Sequence, residues 1–458
     1  MSEYAQKGMS STGAAGTANK SDTAALHPSR WKRVCNDTLS GPTAHMAMLS
    51  VADQAVVSAT NFLTGVIIGR ACTKEEFGLY MLGFTIMLFV MTVQTSLISS
   101  PYTVYSPRLK GIDHAQYTGS TIIHQLALSA IMVLALSIAG TVLTFGIGPE
   151  NFAKVVWALV IAITFISLRE YIRRISFANL RFKAALILDL CVAVIQIGFL
   201  LILVIFNILS VSRAYLVIGI SCGIASAFWF ILNIKAFSLV IIQAISQFWF
   251  NLSFGKWVLA GDIALLMSKQ LYPWFLAGTH GSAATGIFAA CQGFVALFNP
   301  LIFGIGNLLG PKVAHTFSKG KGKLRRMVLR TTVLLAIATS ILFFLIVICG
   351  ERVLVLIYGA KYTGNSTVLS LLALSFVFST IGDPPSYGLW AMERPDINLK
   401  INLIALIVTI SIGFLMVKSF GLIGVALGLI SANAIAFLIR YAVFAKLTTF
   451  QLLGNLRN

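Results

Sequence analysis

Charged and amide side chains stand inside stretches of this sequence that are otherwise apolar enough to cross a membrane. The stretch SVADQAVVSATNFLTGVIIGR, residues 50–70, carries Asp53, Gln54 and Asn61. A carboxylate at the centre of a bilayer costs roughly 2.5–3.5 kcal/mol on insertion scales, so it normally faces other helices or an aqueous cavity. Gln54 and Asn61 are seven residues apart and share a helical face, as do Asp53 and Thr60. One side of this helix is therefore predicted to be polar and to line a cavity.

Asp53 has two chemically distinct roles open to it. As a titratable group, it would couple the movement of H+ or Na+ to a conformational switch. As a hydrogen-bonding group, it would hold a neighbouring helix, which is a common use of polar residues in membrane helices. The sequence leaves both roles open.

Lys269, Gln270 and Asp262 form a second polar group, in a later apolar stretch. Lys269 is the only basic residue well inside a predicted span. Asp262 precedes it by seven residues on the same helical face, about 10 Å away along the axis at 1.5 Å per residue. That distance does not assure a direct pair, so each side chain is expected to meet a partner from another helix. The alternatives are a structural ion-pair network or a Lys269 side chain that extends to the membrane surface.

Asp383 lies in STIGDPPSYGLWAMERPD, near the end of another apolar stretch. The two prolines that follow it must interrupt a helix, because proline has no N–H to donate to the helical ladder. Non-helical backbone at membrane depth is tolerated only against protein or water. Asp383 is therefore predicted to mark a gate or hinge, and the plainer alternative is a kink just before the helix leaves the membrane.

The composition of the whole chain requires a membrane. Of its 458 residues, 57% are hydrophobic and only 11% are charged, with a mean hydropathy of +0.87. Twelve stretches reach the length of about 20 apolar residues that crosses a bilayer. The prediction is an all-α polytopic membrane protein with twelve transmembrane helices. The six cysteines are scattered, so neither a disulfide framework nor a metal site is predicted.

Most of the 34 lysine and arginine residues fall in the N-terminal tail and in alternate loops. The positive-inside rule then predicts that both termini are cytoplasmic. Basic stretches such as REYIRRISFANLRFK are interpreted as loop segments that set this topology. The predicted parts are a disordered tail (1–45), an N-terminal half (46–236), an interfacial cytoplasmic linker (237–255), a C-terminal half (256–446) and a cytoplasmic tail (447–458).

The two predicted halves repeat a sequence pattern. Asp53 is followed 16 residues later by a glycine, and so is Asp262. A glycine, aliphatic, aromatic triplet then follows in each half, beginning at Gly78 and at Gly286. Each half is therefore predicted to contain six helices and to begin with a helix that carries an aspartate. Because six is even, the halves would be related by an axis along the membrane normal, as in several transporters.

The run DQAVVSATNFLTGVIIGRACTKEEFGLYML, together with FGKWVLAGDIALLMSKQLYPWFLAG, resembles polysaccharide and O-antigen flippases of the multidrug/oligosaccharidyl-lipid/polysaccharide exporter superfamily. The matching pieces are the first-helix Asp and Gln, the KEEFGLY loop and the Phe-Gly-Lys-Trp start of the seventh helix. The resemblance covers residues 46–446. It implies a V-shaped bundle with a central cavity. By alternating access, this bundle would move a polyprenyl-linked oligosaccharide repeat unit to the outer leaflet of a bacterial inner membrane, for cell-surface or exopolysaccharide synthesis.

The implied substrate suggests roles for the polar residues. A pyrophosphate linker is anionic, so a cation in the cavity would offset its desolvation, and Lys269 is the best candidate. We expect the substrate-binding residues to be Lys269, Gln54, Asn61 and Gln270, and the ion-coupling or gating residues to be Asp53, Asp262 and Asp383. No cofactor is predicted, and coupling to H+ or Na+ stays open. The implied partners are membrane lipids, a polymerase and a chain-length regulator, without nucleic acid.

Two other functions are weighed against this one. A cation-coupled drug or small-molecule exporter of the same superfamily is the first. The second is an integral-membrane polysaccharide polymerase or ligase, which would need catalytic groups in a sizeable outer loop, and the predicted outer loops are short. A Gly-rich loop ending in Lys-Ser or Lys-Thr is absent from the sequence, so ATP hydrolysis by this chain is not expected. The chain is therefore predicted to be a transporter and not an enzyme.

Overall fold

The computed structural model describes residues 42–233 and 238–454, so the predicted tail at 1–45 lies almost wholly outside the described residues. The chain from Leu49 onward forms one compact unit, separate from Met1–Met48. The described residues are helical and contain no strand. Their α-helices are α1 (Pro42–Ala71), α2 (Lys74–Gln94), α3 (Ser100–Tyr105), α4 (Gly111–Thr144), α5 (Phe152–Ala178), α6 (Phe182–Ile205), α7 (Val211–Asn233), α8 (Ile241–Ala296), α9 (Asn299–Phe317), α10 (Lys321–Tyr358), α11 (Ser366–Ile381), α12 (Asp383–Ala391), α13 (Pro395–Val408) and α14 (Phe414–Gly454).

Ten helical stretches among the described residues are long and apolar enough to span a membrane. The two longest, Ile241–Ala296 and Pro395–Thr449, contain 56 and 55 residues. Each is broken by a glycine in a conformation that other residues rarely adopt, Gly281 (φ 83°, ψ 174°) and Gly421 (φ 55°, ψ −125°). The chain is an all-α, multi-pass membrane protein, as predicted. The exact count of twelve spans stays a prediction.

Short helical segments join α2 to α3 and continue the second span. A π-helical turn, Thr95–Ser99, connects the two helices, and a 3-10 turn, Ser106–Arg108, follows α3. The whole stretch Lys74–Arg108 is a single candidate span of 35 residues. The π-helical turn carries Ser96, whose side chain reaches α8. Such turns often occur at functional positions in helices.

The predicted linker at 237–255 becomes helical at Ile241 and continues without a break into the next span. Its first turns pack against α4. The Tyr117 hydroxyl donates to Asn251 Oδ1 at 2.9 Å, and His124 Nε2 lies 2.7 Å from the Ala244 carbonyl. Other side chains are highly exposed, with Trp249 at 68%. One face therefore contacts protein while the other is apolar and uncovered. Its placement at the membrane interface stays a prediction.

One close helix crossing joins α2 to the last part of α8. A Cβ added at Gly78 would lie 1.9 Å from the Ser282 carbonyl oxygen, and one added at Gly286 would lie 1.9 Å from that of Lys74. Only glycine fits at either position without a backbone shift. Gly78 and Gly286 begin the repeated triplets of the sequence. Both glycines of the repeat therefore lie where the backbones of α2 and α8 touch.

Candidate functional site

Asp53 is fully buried in α1 and forms an ion pair with Arg173 of α5. Its Oδ2 accepts hydrogen bonds from Arg173 Nη2 at 2.7 Å and from Nε at 3.0 Å. Gln54 Oε1 accepts a longer bond, 3.3 Å, from the same Nη2. The guanidinium also lies over the Phe177 ring, 5.1 Å from its centroid. Asp53 and Gln54 thus share one partner, an arginine on another helix.

Further charges extend this pair into a network. Asp189 of α6 lies 2.5 Å from Arg169 and 2.9 Å from Arg173. Glu170 lies 2.7 Å from Arg174 and 3.5 Å from Arg173. Three carboxylates thus meet three guanidinium groups, so the formal charges cancel. We call this set the ionic cluster; its members are Asp53, Arg169, Glu170, Arg173, Arg174 and Asp189. Apart from Arg174, their side chains are at most 11% exposed.

The ionic cluster corrects two sequence interpretations. The stretch REYIRRISFANLRFK is not simply a loop, because Arg169 and Arg173 lie in α5, which continues to Ala178. Lys269 is therefore not the only basic residue inside a long apolar helix. The reason is that partners on other helices neutralise these arginines, and counting charges along a sequence does not include partners. The signal available in the sequence was the pair of unexplained carboxylates, Asp53 and Asp189, within apolar helices.

A cavity of about 50 Å³ lies beside the ionic cluster. Its polar lining comes from α1, α5 and α6, namely Thr60, Asn61, Arg169, Asp189 and Gln196. Gln196 also donates a 2.7 Å hydrogen bond to Thr64 of α1. The rest of the cavity lining is apolar, and the cavity volume exceeds the roughly 10–15 Å³ that one water needs. The polar face predicted for α1 therefore lies against other helices and this cavity. The substrate-binding role of Asn61 stays a prediction.

Lys269 of α8 belongs to a second charged group, with Asp383 of α12 and Arg440 of α14. Among the described residues, no ion pair within 4.0 Å joins these three side chains, and Lys269 is exposed. With two cations and one carboxylate, this group carries one excess positive formal charge. We call it the cationic group.

Arg440 is held by the backbone and by an amide side chain. Its Nη2 donates to Asn402 Oδ1 of α13 at 3.1 Å, and its Nη1 donates to the Gly382 carbonyl at 3.4 Å. Its buried Nε has no hydrogen-bond partner among the described residues. Gly382 separates α11 from α12, where the double proline predicts an interruption. Arg440 was missed by the sequence reasoning, because it lies close to a predicted span end.

Asp262 and Gln270 contact different surroundings from Lys269. Asp262 Oδ2 accepts a 2.8 Å hydrogen bond from Ser96 in the π-helical turn, so it joins α8 to the second span. Gln270 lines a second cavity, of about 160 Å³, between α2 and α8. The other lining residues are mainly apolar: Thr85, Ile86, Phe89, Met267, Leu271 and Trp274. As expected, Asp262 meets a partner on another helix and not Lys269. The roles assigned to both residues stay predictions.

A clasp joins the end of α1 to the segment that follows α10. The Tyr362 hydroxyl donates to the Gly69 carbonyl at 3.2 Å, and Arg70 Nη2 donates to the Leu356 carbonyl at 2.8 Å. Lys361 Nζ donates to the Arg70 carbonyl at 3.3 Å and also to that of Cys72. These four hydrogen bonds join two segments, residues 69–72 and 356–362, which are together called the clasp below. Because all the acceptors are backbone carbonyls, no sequence pattern predicts it.

The described residues contain no group of three His, Cys, Asp or Glu side chains that could hold a metal ion. The ionic cluster brings three carboxylates together, but two arginines occupy the space between them. The grouped residues offer a neutral set of ion pairs and a separate positive group, which suits binding and conformational change.

Comparison with solved structures defines the class of fold. An inward-facing multidrug resistance MATE family transporter of the MOP superfamily superposes with a TM-score of 0.73 and 13% identity, over 85% of this chain and 94% of that one. The lipid II flippase MurJ, in an inward closed conformation, gives 0.70 and 16%, over 89% and 91%. The chain therefore has the fold of these membrane transporters. No family model matches it.

Two curated proteins are similar in sequence. One is the capsular polysaccharide biosynthesis protein CapF of Staphylococcus aureus, 24% identical over 53% of this chain and 65% of the relative. The other is the lipopolysaccharide biosynthesis protein WzxC of Escherichia coli (strain K12), 24% identical over 43% and 40%. The matches thus span less than two thirds of each relative. The predicted resemblance to flippase-like transporters is confirmed.

Proposed function

We propose that this protein moves a polyprenyl-linked oligosaccharide repeat unit from the cytoplasmic to the outer leaflet of a bacterial inner membrane. Similarity to two polysaccharide biosynthesis proteins and the fold shared with MurJ support this substrate class. Both termini would be cytoplasmic. A polymerase and a chain-length regulator would act on the product at the outer surface.

The observation that carries the proposal is the difference in net charge between the ionic cluster and the cationic group. The ionic cluster is neutral because each of its carboxylates is paired with an arginine. The cationic group retains one positive charge, and Lys269 is exposed. An excess cation favours an anionic ligand such as a pyrophosphate and disfavours a cationic drug. This difference ranks the flippase above the drug exporter.

In the proposed mechanism Lys269 binds the anionic linker, and Gln54, Asn61 and Gln270 supply hydrogen bonds to the sugar. Asp53, Asp262 and Asp383 act as gating residues. Two of them join helices that must separate or tilt during alternating access: Asp53 through Arg173, and Asp262 through Ser96. Arg173 occupies the position of a counter-ion, so a bound H+ or Na+ at Asp53 would have to displace it.

The proposal is tested in the producing bacterium by deletion and complementation. Lipid-linked oligosaccharide in the inner membrane is followed by mass spectrometry, with leaflet assignment by a membrane-impermeant glycosidase. The alleles Lys269→Ala and Asp53→Asn are compared with Lys256→Ala, which removes an exposed lysine from the same helix. We expect the intact repeat unit to accumulate on the cytoplasmic side in the deletion strain. Lys256→Ala should restore export, while the other two alleles should not, at equal membrane levels.

Two outcomes would contradict the proposed function or its assigned residues. If no repeat unit accumulates and the deletion strain becomes sensitive to small cationic drugs, the flippase assignment is wrong. If Lys269→Ala complements as fully as Lys256→Ala, the assigned role of Lys269 is wrong.

A further inference from the structure

We propose that one face of α10 binds anionic phospholipid, with the phosphate on three cations and an acyl chain along the apolar residues beyond them. The cations, called the basic row below, are Lys323, Arg326 and Arg330. The apolar residues, called the apolar row, are Leu334, Ile337, Ile341, Phe344 and Ile348. This face lines neither of the two cavities described above, so the inference is independent of the proposed substrate.

The basic row and the apolar row form a single exposed face of the helix. Successive members are three or four residues apart, which is the spacing that keeps side chains on one helical face. The cations are exposed, and the apolar side chains are between 53% and 73% exposed. The opposite face of α10 is buried against the protein, for example at Leu324, Val328 and Leu335. The helix therefore presents both rows to its surroundings.

The length of the apolar row matches the thickness of a bilayer. The same helical face ends at Arg352, which is exposed and lies four residues beyond Ile348. Arg330 and Arg352 are about 33 Å apart along the axis at 1.5 Å per residue, and the hydrocarbon core is about 30 Å thick. Arg330 thus lies at one border of the hydrocarbon. Arg326 and Lys323 lie about 6 and 10 Å further out, at the level of the lipid head groups.

The basic row has no carboxylate to neutralise it. The sequence contains no Asp or Glu between Asp262 and Glu351. Within the part of the chain that the structure describes, the basic row makes no ion pair within 4.0 Å. A guanidinium group fits two oxygens of a phosphate, and each cation near an anionic lipid surface adds to the attraction. A phospholipid with a net negative charge therefore supplies both the missing counter-ion and a chain for the apolar row.

A role in membrane topology alone does not account for this arrangement. The segment from the end of α9 into α10 contains seven Lys and Arg residues, whereas the turn before α4 has only Arg108 and Lys110, followed by Asp113. A topology signal depends on the number of cations and not on their place around a helix. Arg325 separates the two explanations. It is exposed but lies about 100° around the helix from Arg326 and about 140° from Arg330, away from the proposed face.

Native mass spectrometry of the full-length protein in detergent tests the proposal by counting bound lipids. The protein is titrated with phosphatidylglycerol and, separately, with phosphatidylcholine that has the same acyl chains. We expect the wild type to bind the first phosphatidylglycerol at least tenfold more tightly. Arg326→Gln and Arg330→Gln should each weaken phosphatidylglycerol binding about fivefold, and the double variant about 25-fold. The matched control Arg325→Gln removes the same charge from the same helix and should bind like the wild type.

Phosphatidylcholine binding reports the fold of each variant, because it should be unchanged by the loss of a cation. The proposal is overturned if Arg325→Gln weakens phosphatidylglycerol binding as much as Arg330→Gln, or if the double variant keeps the wild-type preference. Two competitors distinguish the sources of the phosphate. Displacement by inorganic phosphate at equal concentration would show a site for the free anion, and stronger displacement by undecaprenyl pyrophosphate would show a substrate surface. Either result would overturn the assignment to phospholipid.

Discussion

The clasp predicts a measurable conformational equilibrium, and Lys361 is the residue to change. Its ammonium group donates to two backbone carbonyls at the end of the first span, those of Arg70 and Cys72. A hydrogen bond from a charged group contributes about 1.5–3 kcal/mol, and partial exposure places Lys361 at the low end. Since 1.4 kcal/mol is a factor of ten, Lys361→Ala should raise the population with an open clasp about tenfold.

The thiol of Cys72 reports opening. Cys72 is 5% exposed, and its carbonyl is one of the clasp acceptors. Burial, with a smaller contribution from Glu76, raises the pKa of Cys72 to about 12, so almost no thiolate exists at neutral pH while the clasp is closed. An open clasp restores access and an ordinary thiol pKa of about 8.5. Maleimide labelling of Cys72 therefore follows the open population, once Cys35, Cys191, Cys222, Cys291 and Cys349 are replaced by serine.

The assay compares labelling rates of protein in nanodiscs, which admit reagent from both faces. We expect about a tenfold faster rate for Lys361→Ala. For Tyr362→Phe, which removes one neutral hydrogen bond of about 1 kcal/mol, we expect about a fivefold faster rate. The control is Lys154→Ala, because that lysine is exposed and bonds only within its own turn, to Asn151. Unchanged labelling in Lys361→Ala, or an equal increase in Lys154→Ala, would refute the reasoning.

Two further predictions concern stability. Arg173→Ala leaves buried carboxylates unpaired and should cost about 3–5 kcal/mol of stability, measured as a lower unfolding temperature in detergent. Combining Arg173→Gln with Asp53→Asn should cost less stability than the sum of the two single changes. Additive losses would contradict the ion pair. Gly78→Ala forces α2 away from α8 and should lower the free energy of unfolding by about 1–3 kcal/mol. The control Gly278→Ala has open space around the new Cβ and should leave stability almost unchanged. Equal effects of the two substitutions would contradict the close crossing.

Some of this architecture could be predicted from single residues. Asp53 in an apolar helix required a buried partner or a cavity, and it has both nearby. Gly421, in the stretch KSFGLIG, marks the break in α14, because the backbone conformation there is one that only glycine adopts readily. The double proline after Asp383 predicted the break between α11 and α12. In each case a strong local rule of backbone or solvation chemistry acts on one position.

The partners could not be predicted in the same way. Nothing in the spacing along the chain indicates that Arg173 reaches Asp53, or that Arg440 reaches the start of α12, since these contacts join distant segments. The positive-inside rule even favoured a loop for Arg173, because it weighs arginine as an exposed charge. The clasp uses backbone carbonyls, which every residue has. Long-range pairing of this kind becomes visible only in three dimensions.

The glycine crossing of α2 and α8 makes a natural fulcrum. At Gly78 and Gly286 the two backbones touch with no side chain between them, so this crossing is the point about which the helices would pivot. The crossing lies near one end of the stretch Lys74–Arg108. At 1.5 Å per residue, the arm beyond it is roughly 45 Å long. Each degree of rotation about this crossing would thus swing the far end of the second span by roughly 0.8 Å.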